Sequence, residues 1–129
     1  MSNTPRQIEC TIPILPVSHL QAAIVFYTAI LGFKADWGCH EGSSIASVSR
    51  DGCCLMLSQT GPGTPRSRVW IGLENESLFH DFRKAGVKVH QEPRNFSWAY
   101  EMKFEDPDGN VLWLGTEPRK DLPFEDADV

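Results

Sequence analysis

The sequence runs through one plan twice, and that repetition constrains the fold more than any other feature of the chain. A stretch of helical spacing closes at Gly32 and a second closes at Gly86, 54 positions later. Asp51-Gly52 and Asp108-Gly109 each lie between two short strand-like runs, 57 positions apart. The same order at nearly the same offset means that one supersecondary unit is used twice.

In the first unit, Ile12-Pro13-Ile14-Leu15-Pro16-Val17 reads as a short strand whose prolines confine it to an edge or to its ends. Ser18 offers a helix N-cap, and Gln21 three residues on completes a capping box. Leu20, Ile24, Tyr27 and Leu31 follow at helical spacing, Ala23 and Ile30 widen the stripe, and Gly32 is the C′ residue. Phe33 to Trp37 is the next strand. Ser44 to Ser49 and Cys53 to Ser58 form a hairpin around Arg50-Asp51-Gly52, because Asp-Gly tolerates the positive φ of tight turns.

In the second unit, Arg68 to Leu73 alternates, with Val69, Ile71 and Leu73 on one face and Arg68, Trp70 and Gly72 on the other. Asn75 caps a helix carrying Leu78, Phe79 and Phe82. Val87 to His90 is a strand. Ala99 to Phe104 and Asn110 to Gly115 form a hairpin around Asp106-Pro107-Asp108-Gly109. The expected fold is α+β, two βαβββ units: module 1 over about 8–59, a Gly/Pro linker over 60–66 and module 2 over about 67–115, within one domain spanning 1–129.

The formal net charge is −5, which disfavours nucleic-acid binding. The segment 116–129 holds Glu117, Asp121, Glu125, Asp126 and Asp128 against Arg119 and Lys120, a balance of −3, so the body carries about −2. The composition of that tail is that of a disordered segment. No apolar run reaches the roughly 20 residues of a membrane span, and residues 1–6 lack a signal-peptide core, so a cytoplasmic address is expected. Cys10, Cys39, Cys53 and Cys54 show no CxxC spacing; reduced thiols are expected, with Cys53 and Cys54 as small core residues.

Ile12 to Val17, then Phe26-Tyr27, then Leu31-Gly32-Phe33, resemble the opening of the vicinal-oxygen-chelate superfamily, which holds glyoxalase I, extradiol dioxygenases and bleomycin-resistance proteins. Ser97-Trp98-Ala99-Tyr100-Glu101-Met102, running into Asp106-Pro107-Asp108-Gly109-Asn110, is similar to the bleomycin-resistance branch. The resemblance covers roughly residues 8 to 115. It implies a curved mixed sheet with a concave cleft, helices on the outer face, and a homodimer with clefts at the subunit interface.

Metal-dependent members place His or Glu on the first and last strands of each module. The resemblance puts those positions at Ile12, at Ser67 or Arg68, at Met56 and at Trp113, none of which is a ligand for a divalent metal. His19, His40, His80 and His90 read as surface histidines, so no metal and no cofactor is expected. Cys39-His40 lacks a third group to orient it as a nucleophile and base. Gly61-Pro62-Gly63 lacks the Lys and helix of a phosphate loop, and Asp106 and Asp108 are turn formers. No catalytic residue is assigned.

What remains is a cleft. Alternation anchored on Met56 and Trp113 puts Cys54, Met56, Ser58, Val111 and Trp113 on the concave face, with Trp70 and Arg68 beside them. Trp98 matches, by resemblance, a tryptophan that bleomycin-binding relatives stack on the drug. Trp37 matches another aromatic wall residue, Ser58 a serine, and Glu101 a glutamate following the tryptophan. Arg68 and Trp113 depart from those relatives, and an arginine in the cleft disfavours a strongly cationic ligand. The resulting expectation is metal-independent sequestration of a flat aromatic small molecule, such as an aromatic antibiotic, by a homodimer. The alternatives are a glyoxalase-type lyase or isomerase with an atypical metal site, and a structural or regulatory module with a closed cleft.

Overall fold

The computed structural model describes residues 4–128. Its first half is β1 (Ile14–Val17), α1 (Leu20–Val25) continued by a π-helical turn (Phe26–Ile30), β2 (Lys34–Trp37), β3 (Ile45–Arg50) and β4 (Cys53–Gln59). The second half is β5 (Arg68–Gly72), α2 (Ser77–Lys84), β6 (Lys88–Asn95), β7 (Tyr100–Glu105) and β8 (Val111–Thr116). Each βαβββ unit builds its own four-stranded mixed sheet, in the orders β1-β4-β3-β2 and β5-β8-β7-β6. In both, the first and last strands pair in parallel and the rest are antiparallel.

The repeat thus predicts the fold, and the turn chemistry explains why. Asp51 and Gly52 both hold positive φ, as a two-residue hairpin turn demands, and Gly32 and Gly86 end their helices at φ +78° and +80°. Leu15, Val17, Leu55 and Leu57 of the first sheet, and Val69, Met102, Phe104, Leu112 and Leu114 of the second, enter one continuous core with Tyr27, Phe79 and Phe82 from the helical segments. The opposite face of each sheet is left open.

Several local expectations are corrected. The capping box does not form: Ser18 donates through its backbone N–H (3.0 Å) and its hydroxyl (2.6 Å) to Asp108, and Gln21 donates to the His40 carbonyl. His19 is the N-cap and makes no side-chain cap bond, while Gln59 accepts from the Leu20 N–H at 2.9 Å. Long-range partners have outcompeted the local pair. Ile30 is 43% exposed instead of widening the buried stripe. Leu31 N–H reaches back to the Phe26 carbonyl, five residues away, and the wider turn rotates Ile30 off the core side. The Thr28 hydroxyl donates to the Ile24 carbonyl within the same stretch. Cys53 is exposed and Cys54 half-buried, so neither belongs to the core, and all four cysteines are free. β6 runs on through Pro93 to Asn95; it is an edge strand with register shifts, where a missing N–H is tolerated. The acidic tail is not a loose appendage. It folds back along the end of β6, ending in a short 3₁₀ turn (Asp126–Asp128). No described helix is long and apolar enough to cross a membrane.

The two units are tied together by polar groups. Tyr27, fully buried, donates its hydroxyl to Asp106 at 2.8 Å, and Asn110 donates to the Pro16 carbonyl at 2.8 Å. Burial foremost, and then the Asp106 carboxylate, raise the Tyr27 pKa far above the ordinary tyrosine value of 10.0. A raised folded pKa means that this contribution to stability is complete below pH 10 and is lost as pH rises beyond it. Melting temperature should therefore fall on the alkaline side of that value. Tyr27→Phe, melted across the same pH series, should show a shallower fall; an identical slope would show that other groups govern alkaline unfolding.

Candidate ligand-binding cleft

The strand registers lay the open face of the second sheet out in rows. Trp70, Trp113, Lys103 and Gln91 form one row, and Gly72, Gly115, Glu101 and Arg94 form the next. Trp70 packs edge-to-face on Trp113, with ring centroids 5.9 Å apart, and its ring leans across Gly115. A β-carbon at Gly115 would collide with that indole, so the pair of glycines facing each other across β5 and β8 is what lets a large ring lie on the sheet. Trp70 remains 51% exposed.

Trp98 stands in the turn between β6 and β7, 53% exposed. One face of its indole is stacked on Phe96, centroid to centroid 4.8 Å and 4° from parallel. Its Nε1–H donates to Glu101 Oε2 at 3.0 Å. Glu101 itself is 2% exposed. It is a fixed anchor beneath the tryptophan, not a solvated strand carboxylate.

Between Trp70 and Trp98 lies a pocket of about 330 Å³. Gly72, Ala99 and Gly115 contribute to its lining, with Leu73, Glu74, Thr116 and Glu117 where β5 and β8 end. Glu74 and Glu117 are exposed and make no ion pair among the described residues. A larger depression of about 710 Å³ runs along residues 10–13, the β3–β4 turn and the β5–α2 segment, sharing Trp70 and Glu74.

The structure therefore brings some of the expected residues together and leaves others apart. Trp70 and Trp98 share the pocket. Trp113 lies behind Trp70, where Lys103 sits over its ring at 4.2 Å and Arg68 at 5.8 Å. Arg68 is thus held against Trp113 and does not line the pocket, so the charge there is set by Glu74 and Glu117. Trp37, Met56 and Ser58 belong to the open face of the other sheet, where Trp37, Ser47, Met56 and Ile14 form a row, and none of the three lines this pocket.

The ladders place Ile14 beside Met56 and Trp70 beside Trp113. These four side chains, with Arg68 close by, do not fit a divalent metal. Among the described residues no three His, Cys, Asp or Glu side chains gather to share an ion.

Glu74, Phe96 and Asn95 have no part in the sequence-based expectations, and Glu117 enters them only as a tail acid. The acids follow the last alternating residue of their strands, where periodicity stops carrying information. The Gly72–Gly115 pairing was the signal available, two glycines at matched positions of parallel strands.

A model of the Glyoxalase/Bleomycin resistance protein/Dioxygenase superfamily matches residues 8–114. The chain belongs to this superfamily. A sequence search of curated proteins finds no match. Among solved structures, the bleomycin-binding protein of bleomycin-producing Streptomyces verticillus, complexed with copper(II)-bleomycin, superposes with a TM-score of 0.73 at 21% identity, over 89% of this chain and 100% of that one. TnmS3, an antibiotic binding protein from Streptomyces sp. CB03234, gives 0.74 at 24%, over 90% and 100%. Lactoylglutathione lyase from Agrobacterium tumefaciens gives 0.68 at 14%, over 86% and 96%. Binders and a lyase share the superfamily fold at these identities, so function has to be argued from the cleft.

Proposed function

We propose that this superfamily member is a small-molecule binder of the bleomycin-resistance type, which sequesters a flat aromatic ligand stoichiometrically and without a metal. The observation that carries this reading is the pocket between two half-exposed tryptophans, each braced from behind: Trp98 by Phe96 and Glu101, Trp70 by Trp113 and Gly115. Large, rigid, pre-positioned rings bind flat ligands with little ordering cost. The pocket's polar groups are two carboxylates and the Thr116 hydroxyl, a set suited to a ligand that carries positive charge. The antibiotic-binding relatives support a small-molecule ligand.

The same reading makes the protein a homodimer, in which Trp37, Met56 and Ser58 of one protomer's first sheet complete the cleft over Trp70 and Trp98 of the other. Both open faces carry half-exposed tryptophans, which a C2 pairing would cover.

Calorimetric titration with copper(II)-bleomycin and a panel of flat cationic and anionic antibiotics tests the proposal. One equivalent of a flat cationic ligand per chain, recovered unchanged, is the expected result. Conversion of the ligand, or preference for the anionic members, would overturn it. Light scattering at tens of micromolar should give twice the chain mass, and a monomer would remove the shared cleft.

A further inference from the structure

We propose that the acidic tail is an internal clamp on the ligand wall: residues 118–128 fix the turn that carries Trp98, and Asn95 is the positioning residue through which they act. The superfamily model's match ends at residue 114, before this segment begins.

The tail's contacts converge on the last residues of β6 and the turn that follows. Asn95 is 2% exposed. Its side-chain oxygen accepts from the Arg119 N–H at 2.9 Å, and its amide group donates to the carbonyls of Arg119 (2.9 Å), Leu122 (3.2 Å) and Pro123 (3.4 Å). Its backbone is tied as well. The Asn95 N–H donates to the Glu125 carboxylate and the Glu125 N–H donates to the Asn95 carbonyl, at 2.9 and 2.8 Å. One residue of β6 therefore makes six hydrogen bonds to four residues of the tail.

The neighbouring bonds extend this hold to the turn itself. Ser97 N–H donates to Asp126 Oδ1 at 2.9 Å, and Phe96 N–H closes the turn on the Ala99 carbonyl at 2.8 Å. Arg94, paired with Glu125 at 3.2 Å and Asp128 at 3.4 Å, lies over the Phe96 ring at 5.1 Å. Phe96 is the ring on which Trp98 is stacked. The path runs from tail carboxylates to Arg94, to Phe96, to the indole that forms one wall of the pocket.

This accounts for the tail's acidity by intramolecular work. Glu125 and Asp126 supply acceptors to turn N–H groups that would otherwise lack partners, and Glu125 and Asp128 neutralise Arg94. With the clamp released, the backbone of the turn loses its acceptors and Trp98 samples more positions. A ligand must then pay to order it, a loss of roughly two- to tenfold in affinity.

The test compares three variants with the parent: the pair Glu125→Ala with Asp126→Ala, the conservative pair Glu125→Gln with Asp126→Asn, and a chain ending after Glu117. The readout is the indole N–H resonance of Trp98, assigned by its disappearance in Trp98→Phe. It should shift and broaden in the alanine pair and the truncation, and return toward the parent position in the conservative pair, which keeps the acceptors. The Trp37 and Trp113 resonances should hold still throughout. An unmoved Trp98 resonance in the truncation would overturn the proposal. So would collapse of all the indole signals in the alanine pair, since the tail would then be part of the core. Affinity for copper(II)-bleomycin, measured in parallel, rests on the ligand-binding reading; the resonance does not, so the two ideas fail separately.

Discussion

Asp106→Ala should lower the melting temperature by about 10–15 °C, although the residue is no part of the proposed cleft. Asp106 is 4% exposed and its carboxylate accepts four hydrogen bonds. Two come from the backbone N–H groups of Asp108 (2.9 Å) and Asn110 (2.8 Å), which shape the β7–β8 turn. The others come from the Tyr27 hydroxyl (2.8 Å) and the Asn110 side-chain amide (2.9 Å), both on residues with no exposed surface. Truncation strands those two buried donors, each at about 1–3 kcal/mol, and loosens the turn besides, for a total near 3–5 kcal/mol. Tyr27→Phe removes one donor and leaves the carboxylate three, so it should cost less. Asp108→Ala loses only the exposed bonds from Ser18 and should shift the transition by a few degrees at most. Circular-dichroism melts of the three variants settle the ranking. Equal transitions for Asp106→Ala and Asp108→Ala would show that the network does not bind the modules together.

That same aspartate marks where sequence reasoning reached its limit. Asp106-Pro107-Asp108-Gly109 is legible as a turn because its chemistry is local: a side chain bonding its own backbone two and four residues on, and a glycine at φ +85°. That the same carboxylate also takes the hydroxyl of Tyr27, 79 residues earlier, has no local signature. The fold was readable for the same reason as the turn. Alternation, helical spacing and glycine stops are short-range signals, and their repetition at a fixed offset supplied the topology. Local signals failed where a distant partner competed, as at Ser18 and Gln21, or where a residue's role depends on what folds over it. Asn95 lies beyond the expected strand Val87 to His90, and nothing local marks it until the tail is seen lying across it. In the cleft, alternation sorted Trp70 and Trp113 onto the open face correctly. It could not tell that Trp113 lies behind Trp70, or that Arg68 is held against it and away from the pocket.

Trp98→Ala should weaken ligand binding by tens of fold or more while costing little of the fold. The indole is 53% exposed, so its outer surface is available, while its inner face is already stacked on Phe96. Stacking a flat ligand on such a ring contributes roughly 0.5–1.5 kcal/mol beyond the area buried, and truncation of a pre-positioned aromatic anchor removes more than that. The stability cost has two sources. The Phe96 ring loses its stacking partner, and Glu101, 2% exposed, loses the Nε1–H bond. Together these come to about 1–2 kcal/mol, below the 3–5 kcal/mol that a tryptophan fully packed in a core would cost. Trp98→Phe separates the contributions, since it retains a ring for stacking and discards only the hydrogen bond. It should keep most of the affinity, and its melting temperature should fall by several degrees, because the buried Glu101 carboxylate loses that donor. Titration of each folded variant with copper(II)-bleomycin, or with the tightest ligand of the antibiotic panel, gives affinity per folded molecule, and a thermal melt gives stability. If Trp98→Ala melts far below the parent while affinity per folded molecule is unchanged, the tryptophan serves the fold, and the pocket between it and Trp70 is not where the ligand binds.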